Sequence, residues 1–112
     1  MKRVIPFTFA ALCAAAPAAA LAQTYPSKPV RVVVPTVPGP LDAFARAVLE
    51  KVTDRVKQPF VIENRPGAGG NVGAEAVAKA APDGYTLLFA IDTTFTVNPS
   101  VYKKLPFDPA KD

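Results

Sequence analysis

The sequence predicts an α/β fold in which a parallel β-sheet is built from a βαβαβ unit. Three short, almost wholly apolar runs are typical of strands covered on both faces, and they begin near residues 30, 60 and 85. Two segments with a helical pattern fall between these runs. Such units form parallel sheets with right-handed crossovers. We therefore expect a ligand to bind beyond the carboxyl ends of the strands.

Residues 1–22 are predicted to be an export signal that is removed. Lys2 and Arg3 form a basic start, an apolar run follows, and residues 20–22 (Ala-Leu-Ala) fit the small-x-small cleavage pattern. A membrane-spanning helix is the alternative, but the apolar run is short for that and has prolines near its ends. The two predicted segments are therefore the signal and a domain over 23–112.

The composition excludes several classes of site. The 112 residues include 13 Lys+Arg against 9 Asp+Glu, one Cys and no His. There is no basic run and no interleaving of aromatic with basic residues, which argues against nucleic-acid binding. The single Cys13 lies inside the predicted signal, so residues 23–112 have neither Cys nor His. We expect no disulfide, no zinc site, no His-based triad, no cofactor and no catalytic residue.

The first strand and the first helix have the clearest patterns. Residues 30–34 (VRVVV) are β-branched and nearly continuous, as in a buried parallel strand. A helix is predicted over 41–57, because apolar residues recur there at helical spacing. They are Leu41, Phe44, Ala45, Val48, Leu49, Val52 and Val56. We expect Phe44 in the core. Asp42 lies in the favourable first turn and can pair with Arg46.

A glycine-rich turn follows the second strand, which is predicted over 60–62. A helix is predicted from about 72 to 81, with Asn71 as its N-cap. Backbone N–H groups at such a helix start are expected to be bare, and they suit a carboxylate or a phosphate. A tight turn without any ligand is the alternative. Arg65 before the turn could pair with a ligand carboxylate, but pairing with Glu63 is the favoured interpretation.

The third strand is predicted over 85–91 and ends in three polar residues. These residues are Asp92, Thr93 and Thr94. The threonine hydroxyls are candidate donors to a ligand. Asp92 could orient a ligand or a water molecule, cap a helix, or simply lie on the surface. Residues 98–99 (Asn-Pro) are predicted to open a short helical turn.

Several short motifs occur in order along residues 23–112. They are Y-P-x-K-P at 25–29, P-G at 38–39, N-R-P-G-A-G-G-N at 64–71, P-D-G-Y-T-L at 82–87 and L-P-F-D-P at 105–109. In this order and spacing they resemble the tripartite tricarboxylate transporter substrate-binding proteins, also called the Bug family. The resemblance departs in the first loop, where the family usually has P-G-G-x-x-D. Here residues 38–42 are P-G-P-L-D, one glycine short, so the backbone donors of that loop are expected to be displaced.

The resemblance implies a periplasmic protein with the two-lobed Venus-flytrap fold, periplasmic-binding-protein type II. Such proteins capture a small carboxylate (a di- or tricarboxylate or related organic acid) and deliver it to the membrane components of a tripartite tricarboxylate transporter. Residues 23–112 would then form the N-terminal part of lobe 1. The residue patterns and the resemblance together give ten candidate ligand-binding residues: Pro38, Gly39, Asp42, Ala68, Gly69, Gly70, Asn71, Asp92, Thr93 and Thr94.

Two other interpretations stay open at this point. A dinucleotide-binding βαβ unit of an exported oxidoreductase also has a strand, a glycine turn and a helix, with Asp92 about twenty residues further on. However, Gly67, Gly69 and Gly73 are spaced one residue too long for the G-x-G-x-x-G fingerprint. The other interpretation is a fragment without function of its own, because three strands and two helices form an incomplete layer.

Overall fold

The computed structural model describes residues 24–112, so the predicted export signal lies outside the described residues. The strands are β1 (Val30–Val34), β2 (Phe60–Asn64) and β3 (Thr86–Leu88), and the helices are α1 (Pro40–Val56), α2 (Asn71–Ala78), α3 (Thr93–Thr96) and α4 (Asn98–Val101), with a single 3₁₀ turn at Ala68–Gly70. Over the described range, no helix is both long and apolar enough to cross a membrane.

The three strands form one parallel sheet in the order β2-β1-β3. Val32 at the centre of β1 is aligned with Ile62 of β2 and Leu87 of β3. Helix α1 connects β1 to β2 on one side of it. Helix α2 then connects β2 to β3, which lies on the other side of β1. Parallel crossovers of this kind are right-handed as a rule, and these two run in opposite directions across the sheet, so the rule places the two helices on opposite faces. The predicted βαβαβ parallel architecture is confirmed.

The core is centred on β1. Val30, Val33 and Val34 have no exposed surface, as expected for a central parallel strand covered on both faces. Val30 and Val32 pack against Leu49 of α1, together with the partly buried Phe60 and Ile62 of β2 and Tyr85 and Phe89 near β3. The alternation of side chains along β1 therefore sets which helix covers which face.

The prediction that Phe44 is a core residue is wrong, because 61% of its surface is exposed. Its ring meets that of Phe89, with a centroid separation of 5.9 Å. Further along α1, Val48 and Val56 are exposed as well. The helix packs on β1 and β2, and within residues 24–112 these three apolar side chains of α1 keep more than a third of their surface exposed. The helical pattern identified the apolar stripe correctly but could not show what packs on it.

Three elements end at other residues than predicted. Strand β2 runs to Asn64 instead of residue 62. Helix α2 ends at Ala78 instead of Ala81, because the N–H of Ala80 bonds to the carbonyl of Val77 in a tighter turn. Strand β3 covers 86–88 instead of 85–91. Its neighbour β1 pairs with it over residues 31–33, and the last bond between the two runs from the N–H of Phe89 to the carbonyl of Val33 at 2.9 Å.

The segment before β1 is fixed to the turn before β3. The hydroxyl of Tyr25 donates to the carbonyl of Gly84, and the N–H of Ser27 donates to Oη of Tyr85 at 2.9 Å. The rings of Tyr25 and Tyr85 pack edge to face at 5.1 Å, and Lys28 Nζ lies 4.4 Å from the centre of the Tyr85 ring. The Y-P-x-K-P and P-D-G-Y-T-L motifs therefore form one structural unit at the amino ends of the strands.

Candidate functional site

A pocket lies at the carboxyl ends of β1 and β3, where the topology places a ligand site. Its volume is about 350 Å³, and it is lined by Pro35, Thr36, Gly67, Gly69, Gly70, Ile91, Thr93, Thr94 and Asn98. None of these lining residues carries a charge. Three separate parts of the chain meet here: the end of β1, the glycine turn before α2, and the α3–α4 segment.

Four of the ten predicted ligand residues line this pocket: Gly69, Gly70, Thr93 and Thr94. The pocket also has lining residues that the sequence interpretation did not select, Thr36 and Asn98 among them. Thr36 lies just beyond the carboxyl end of β1, and this position could have identified it as a pocket residue from the sequence. Its Oγ1 is buried and has no hydrogen-bond partner among the described residues. The hydroxyl therefore has a hydrogen-bond donor that no described residue uses.

The glycine turn has an unusual backbone. Gly67, Ala68, Gly69 and Gly70 follow one another with φ values of +135°, +47°, +63° and +93°. Three of the four residues are glycine because L side chains rarely adopt these angles. A Cβ on Gly70 would lie 2.9 Å from Oγ1 of Thr94, so the absent side chain also allows α3 to approach the turn closely.

The prediction of bare N–H groups at the start of α2 is wrong for three residues. The N–H of Gly70 donates to the carbonyl of Gly67 at 2.9 Å, and that of Val72 donates to the same carbonyl at 3.5 Å. The N–H of Asn71 donates to the carbonyl of Ala68. The run of positive φ values curls the turn so that its carbonyls face its own donors. Any backbone donation to a ligand must therefore come from other N–H groups.

The prediction that Asn71 is the N-cap of α2 is also wrong. Gly70 occupies the cap position and Asn71 is the first residue of the helix. The Asn71 side chain is buried and does not bond to the helix start. Its Oδ1 instead accepts a hydrogen bond from Nδ2 of Asn98 at 2.7 Å. The side chain of Asn71 thus joins α2 to α4.

Asp42 is part of a hydrogen-bond network behind the first loop. Its carboxylate accepts from Arg46 Nε at 2.9 Å, which confirms the predicted pair, and from Nδ2 of Asn64 at 3.0 Å. The hydrogen bonds from Arg46 and Asn64 hold the pKa of the Asp42 carboxyl below its usual range. Asn64 also donates to the carbonyl of Thr36. The network therefore holds the backbone of a pocket residue.

The other predicted residues do not line the pocket. Pro38 and Gly39 are in the loop before α1, where Gly39 has an extended φ of 178° and Pro40 begins the helix. Ala68 lies between two lining glycines. Asp92 precedes α3, and its backbone carbonyl accepts the N–H and the hydroxyl of Thr96.

Arg31 and Arg65 both form ion pairs with the carboxylate of Glu63. Arg65 Nε bonds to the carboxylate of Glu63, as predicted, and Arg31 Nε lies 3.1 Å from the other oxygen of the same carboxylate. The hydrogen bond from Arg65 lowers the pKa of Glu63. Both guanidinium groups are paired within the protein, so an anion in the pocket would meet neutral donors.

A second cavity of about 310 Å³ lies between α2, β3 and the last residues described. Its walls include Ala74, Val77 and Phe107, and Asp108 and Asp112 also line it. Apolar walls with acidic groups do not suit an anionic ligand. Within residues 24–112 there is no cluster of three or more His, Cys, Asp or Glu side chains that could hold a metal ion.

Residues 44–112 match a family described as the tripartite tricarboxylate transporter family receptor. The chain belongs to this receptor family. A UPF0065 protein of Bordetella bronchiseptica is 47% identical to it over 95 residues, which cover 84% of this chain and 28% of that relative. The chain thus spans less than a third of the length of this relative. The resemblance to the Bug family is confirmed.

Three solved structures of similar proteins share the fold of this receptor. MatC from Rhodopseudomonas palustris with bound malate is 40% identical, with a TM-score of 0.73 over 78% of this chain and 30% of that one. An R. palustris protein with adipate is 37% identical, with a TM-score of 0.75 over 79% of this chain and 30% of that one. The periplasmic binding protein BugD is 39% identical, with a TM-score of 0.68 over 76% of this chain and 28% of that one.

These likenesses agree with the architecture described above. The three-stranded parallel sheet with a helix on either face corresponds to part of a lobe of a periplasmic binding protein. The predicted fold class is therefore confirmed. The similar proteins are solute-binding receptors, and two of them were solved with a small dicarboxylate.

Proposed function

We propose that this receptor captures a small organic acid, of the di- or tricarboxylate class, in the periplasm. The observation that carries the proposal is the convergence of the glycine turn with Thr36, Thr93 and Thr94 in one uncharged pocket beyond β1 and β3. A site of this kind binds an anion through several O–H and N–H donors. The malate bound to one similar receptor and the adipate present with another support the choice of ligand class.

Neutral donors suit a ligand that must be released again. A buried carboxylate is tolerable only when it is fully hydrogen-bonded, and hydroxyl and amide donors supply those bonds. A fixed guanidinium would add a strong charge pair that holds the ligand. Here Arg46 and Arg65 are occupied by Asp42 and Glu63. The receptor would then distinguish one organic acid from another by the shape of the pocket and by the number of hydrogen-bond donors in it.

The proposed mechanism is a two-lobed closure. Residues 24–112 provide one wall of the site, and a second lobe of the complete gene product closes over the ligand by a hinge motion. Closure excludes water and strengthens each hydrogen bond to the acid. The closed receptor would then dock on the membrane components of a tripartite tricarboxylate transporter. No chemical step on the ligand is part of this function.

Isothermal titration of the complete gene product tests the proposal. Malate, adipate and citrate are the probes, and NAD is the control for the dinucleotide alternative. We expect saturable binding of at least one acid and no heat from NAD. Binding of NAD without any binding of the acids would overturn the proposal and favour the oxidoreductase interpretation.

A pocket variant with a matched control sharpens the titration. Thr94→Val removes a hydroxyl from the pocket wall, whereas Thr96→Val removes one that bonds within its own helix segment. We expect Thr94→Val to raise the Kd about tenfold, because one hydrogen bond to a charged ligand contributes about 1.5 kcal/mol. Thr96→Val should leave the Kd unchanged. Equal effects of the two variants would place the ligand elsewhere.

A further inference from the structure

The glycine turn needs support from outside itself. Ala68 has a φ of +47°, and its three neighbours also have positive φ values. An L residue is disfavoured in the left-handed region, and such conformations persist only when the surrounding structure enforces them. The support must come from residues packed against the turn.

Asn98 of α4 supplies a polar contact from 29 residues away in sequence. Its Nδ2 donates to the carbonyl of Gly69 at 2.9 Å and to Oδ1 of Asn71 at 2.7 Å. A side-chain amide has two N–H donors, so both are used here. Asn98 and Asn71 are both buried, with 7% and 4% of their surfaces exposed. Hydrogen bonds in such surroundings are stronger than at the surface.

Packing reinforces this polar contact. A Cβ on Gly69 would lie 3.1 Å from Oη of Tyr102 and 3.4 Å from the Asn98 amide. The α3–α4 segment therefore lies directly against the turn, and Asn98 is its hydrogen-bonding link to Gly69. Both donors of Asn98 are committed to the protein, so they are not available to a ligand, although Asn98 lines the pocket.

We propose that Asn98 is a positioning residue, which holds the Gly67–Gly70 turn in the conformation that the ligand meets. This proposal rests on the proposed function, since the turn is a wall of that pocket. Asn98 acts on the ligand through Gly69 and Asn71, not by donating to the ligand itself. The α3–α4 segment and the glycine turn thereby form one rigid wall.

Three substitutions separate the two contacts. Asn98→Ala removes both donors, and Asn98→Asp keeps the size of the side chain but turns acceptors towards the Gly69 carbonyl and Asn71 Oδ1. Asn71→Ala removes one acceptor and leaves the bond to Gly69, so its effect should be smaller. Thr96→Ala is the matched control, because its hydroxyl bonds to the carbonyl of Asp92 within the same segment.

The experiment uses the complete gene product and two readouts. The first is the Kd for malate and adipate from calorimetry, with the stoichiometry reporting the folded fraction. We expect both Asn98 variants to raise the Kd about tenfold at unchanged stoichiometry, as for the loss of a buried hydrogen-bond pair. The second is hydrogen exchange of the peptide over 67–72, which should accelerate about tenfold in the same variants.

Each outcome decides one of the two proposals. If the wild-type protein binds neither acid, the proposed function fails for these acids, and exchange over 67–72 alone decides the role of Asn98. If the Asn98 variants unfold more easily but keep the wild-type Kd and local exchange, Asn98 only stabilises the fold and the positioning role is overturned. If Asn98→Ala does not fold, the size-matched Asn98→Asp and the milder Asn71→Ala provide the same comparison.

Discussion

Nδ2 of Asn64 lies 3.0 Å from Oδ1 of Asp42, and this contact joins the end of β2 to the first turn of α1. The same nitrogen donates to the carbonyl of Thr36 at 3.1 Å. One amide thus fixes both the helix start and the loop that carries a pocket residue.

Replacing Asn64 tests this link. Asn64→Leu should lower the free energy of unfolding by about 1–3 kcal/mol, because it leaves partly buried acceptors without their donor. Urea denaturation measures the change. Gln58→Leu makes the same chemical change in the loop between α1 and β2 and should cost less than about 0.5 kcal/mol. Equal costs for both variants would show that the link contributes nothing specific.

Protonation of Asp42 should destabilise the protein at acid pH. Its pKa is lowered in the folded state by the hydrogen bonds from Arg46 and Asn64. The stabilisation is therefore complete above the pKa of the unfolded state, about 3.9, and is lost as pH falls through the folded-state pKa. Unfolding curves at about ten pH values between pH 6 and pH 2 measure this loss. The free energy of unfolding should fall less steeply with decreasing pH for Asp42→Asn than for wild type. Asp54→Asn, an exposed carboxylate of the same helix, is the control and should follow wild type.

Gly73 should not tolerate a side chain. A Cβ there would lie 2.7 Å from Cβ of Pro35 and 3.0 Å from the carbonyl of Arg65. Gly73→Ala should therefore cost about 1–3 kcal/mol, as overpacking typically does. Gly39→Ala is the matched control, since its nearest neighbour would be 3.7 Å away and its backbone is extended. A Gly73→Ala protein as stable as Gly39→Ala would contradict the close approach of α2 to the end of β1.

Thr36→Val separates a ligand role from a structural one. The Thr36 hydroxyl is buried without a partner among the described residues, so its removal should leave the ligand-free stability unchanged or slightly higher. If the hydroxyl donates to the acid, the Kd for malate should rise about fivefold to tenfold. Thr36→Ser keeps the donor and should bind close to the wild-type level. A Kd that Thr36→Val leaves unchanged would remove Thr36 from the ligand contacts.

Sequence patterns predicted β1 and α1 well, because both patterns depend on residues that are close together in the sequence. The run of valines in β1 and the spacing along α1 depend on neighbouring residues alone, and both elements were located to within one residue. The Asp42–Arg46 pair was equally accessible, since its partners lie one helical turn apart.

The site depended on contacts that the sequence does not display. Asn71 looks like a helix cap from its neighbours, but its partner Asn98 lies 27 residues further along the chain. The bare N–H groups expected at the helix start depend on the φ values of Gly67 to Gly70, which turn three of the donors back into the loop. The wrong prediction for Phe44 has the same cause. Periodicity identifies an apolar stripe on a helix, but it does not show which other part of the protein covers that stripe.

The fixation of Tyr25 to the Gly84 turn has a practical consequence for probes of ligand capture. The tyrosine is held at the amino ends of the strands, while the pocket lies at their carboxyl ends, roughly 16 Å away along a five-residue strand. A fluorophore or affinity tag joined just before residue 24 would sit at the far edge of the sheet and leave the pocket open. A reporter intended to sense the acid belongs instead on the exposed side of the α3–α4 segment, for example at Ser100.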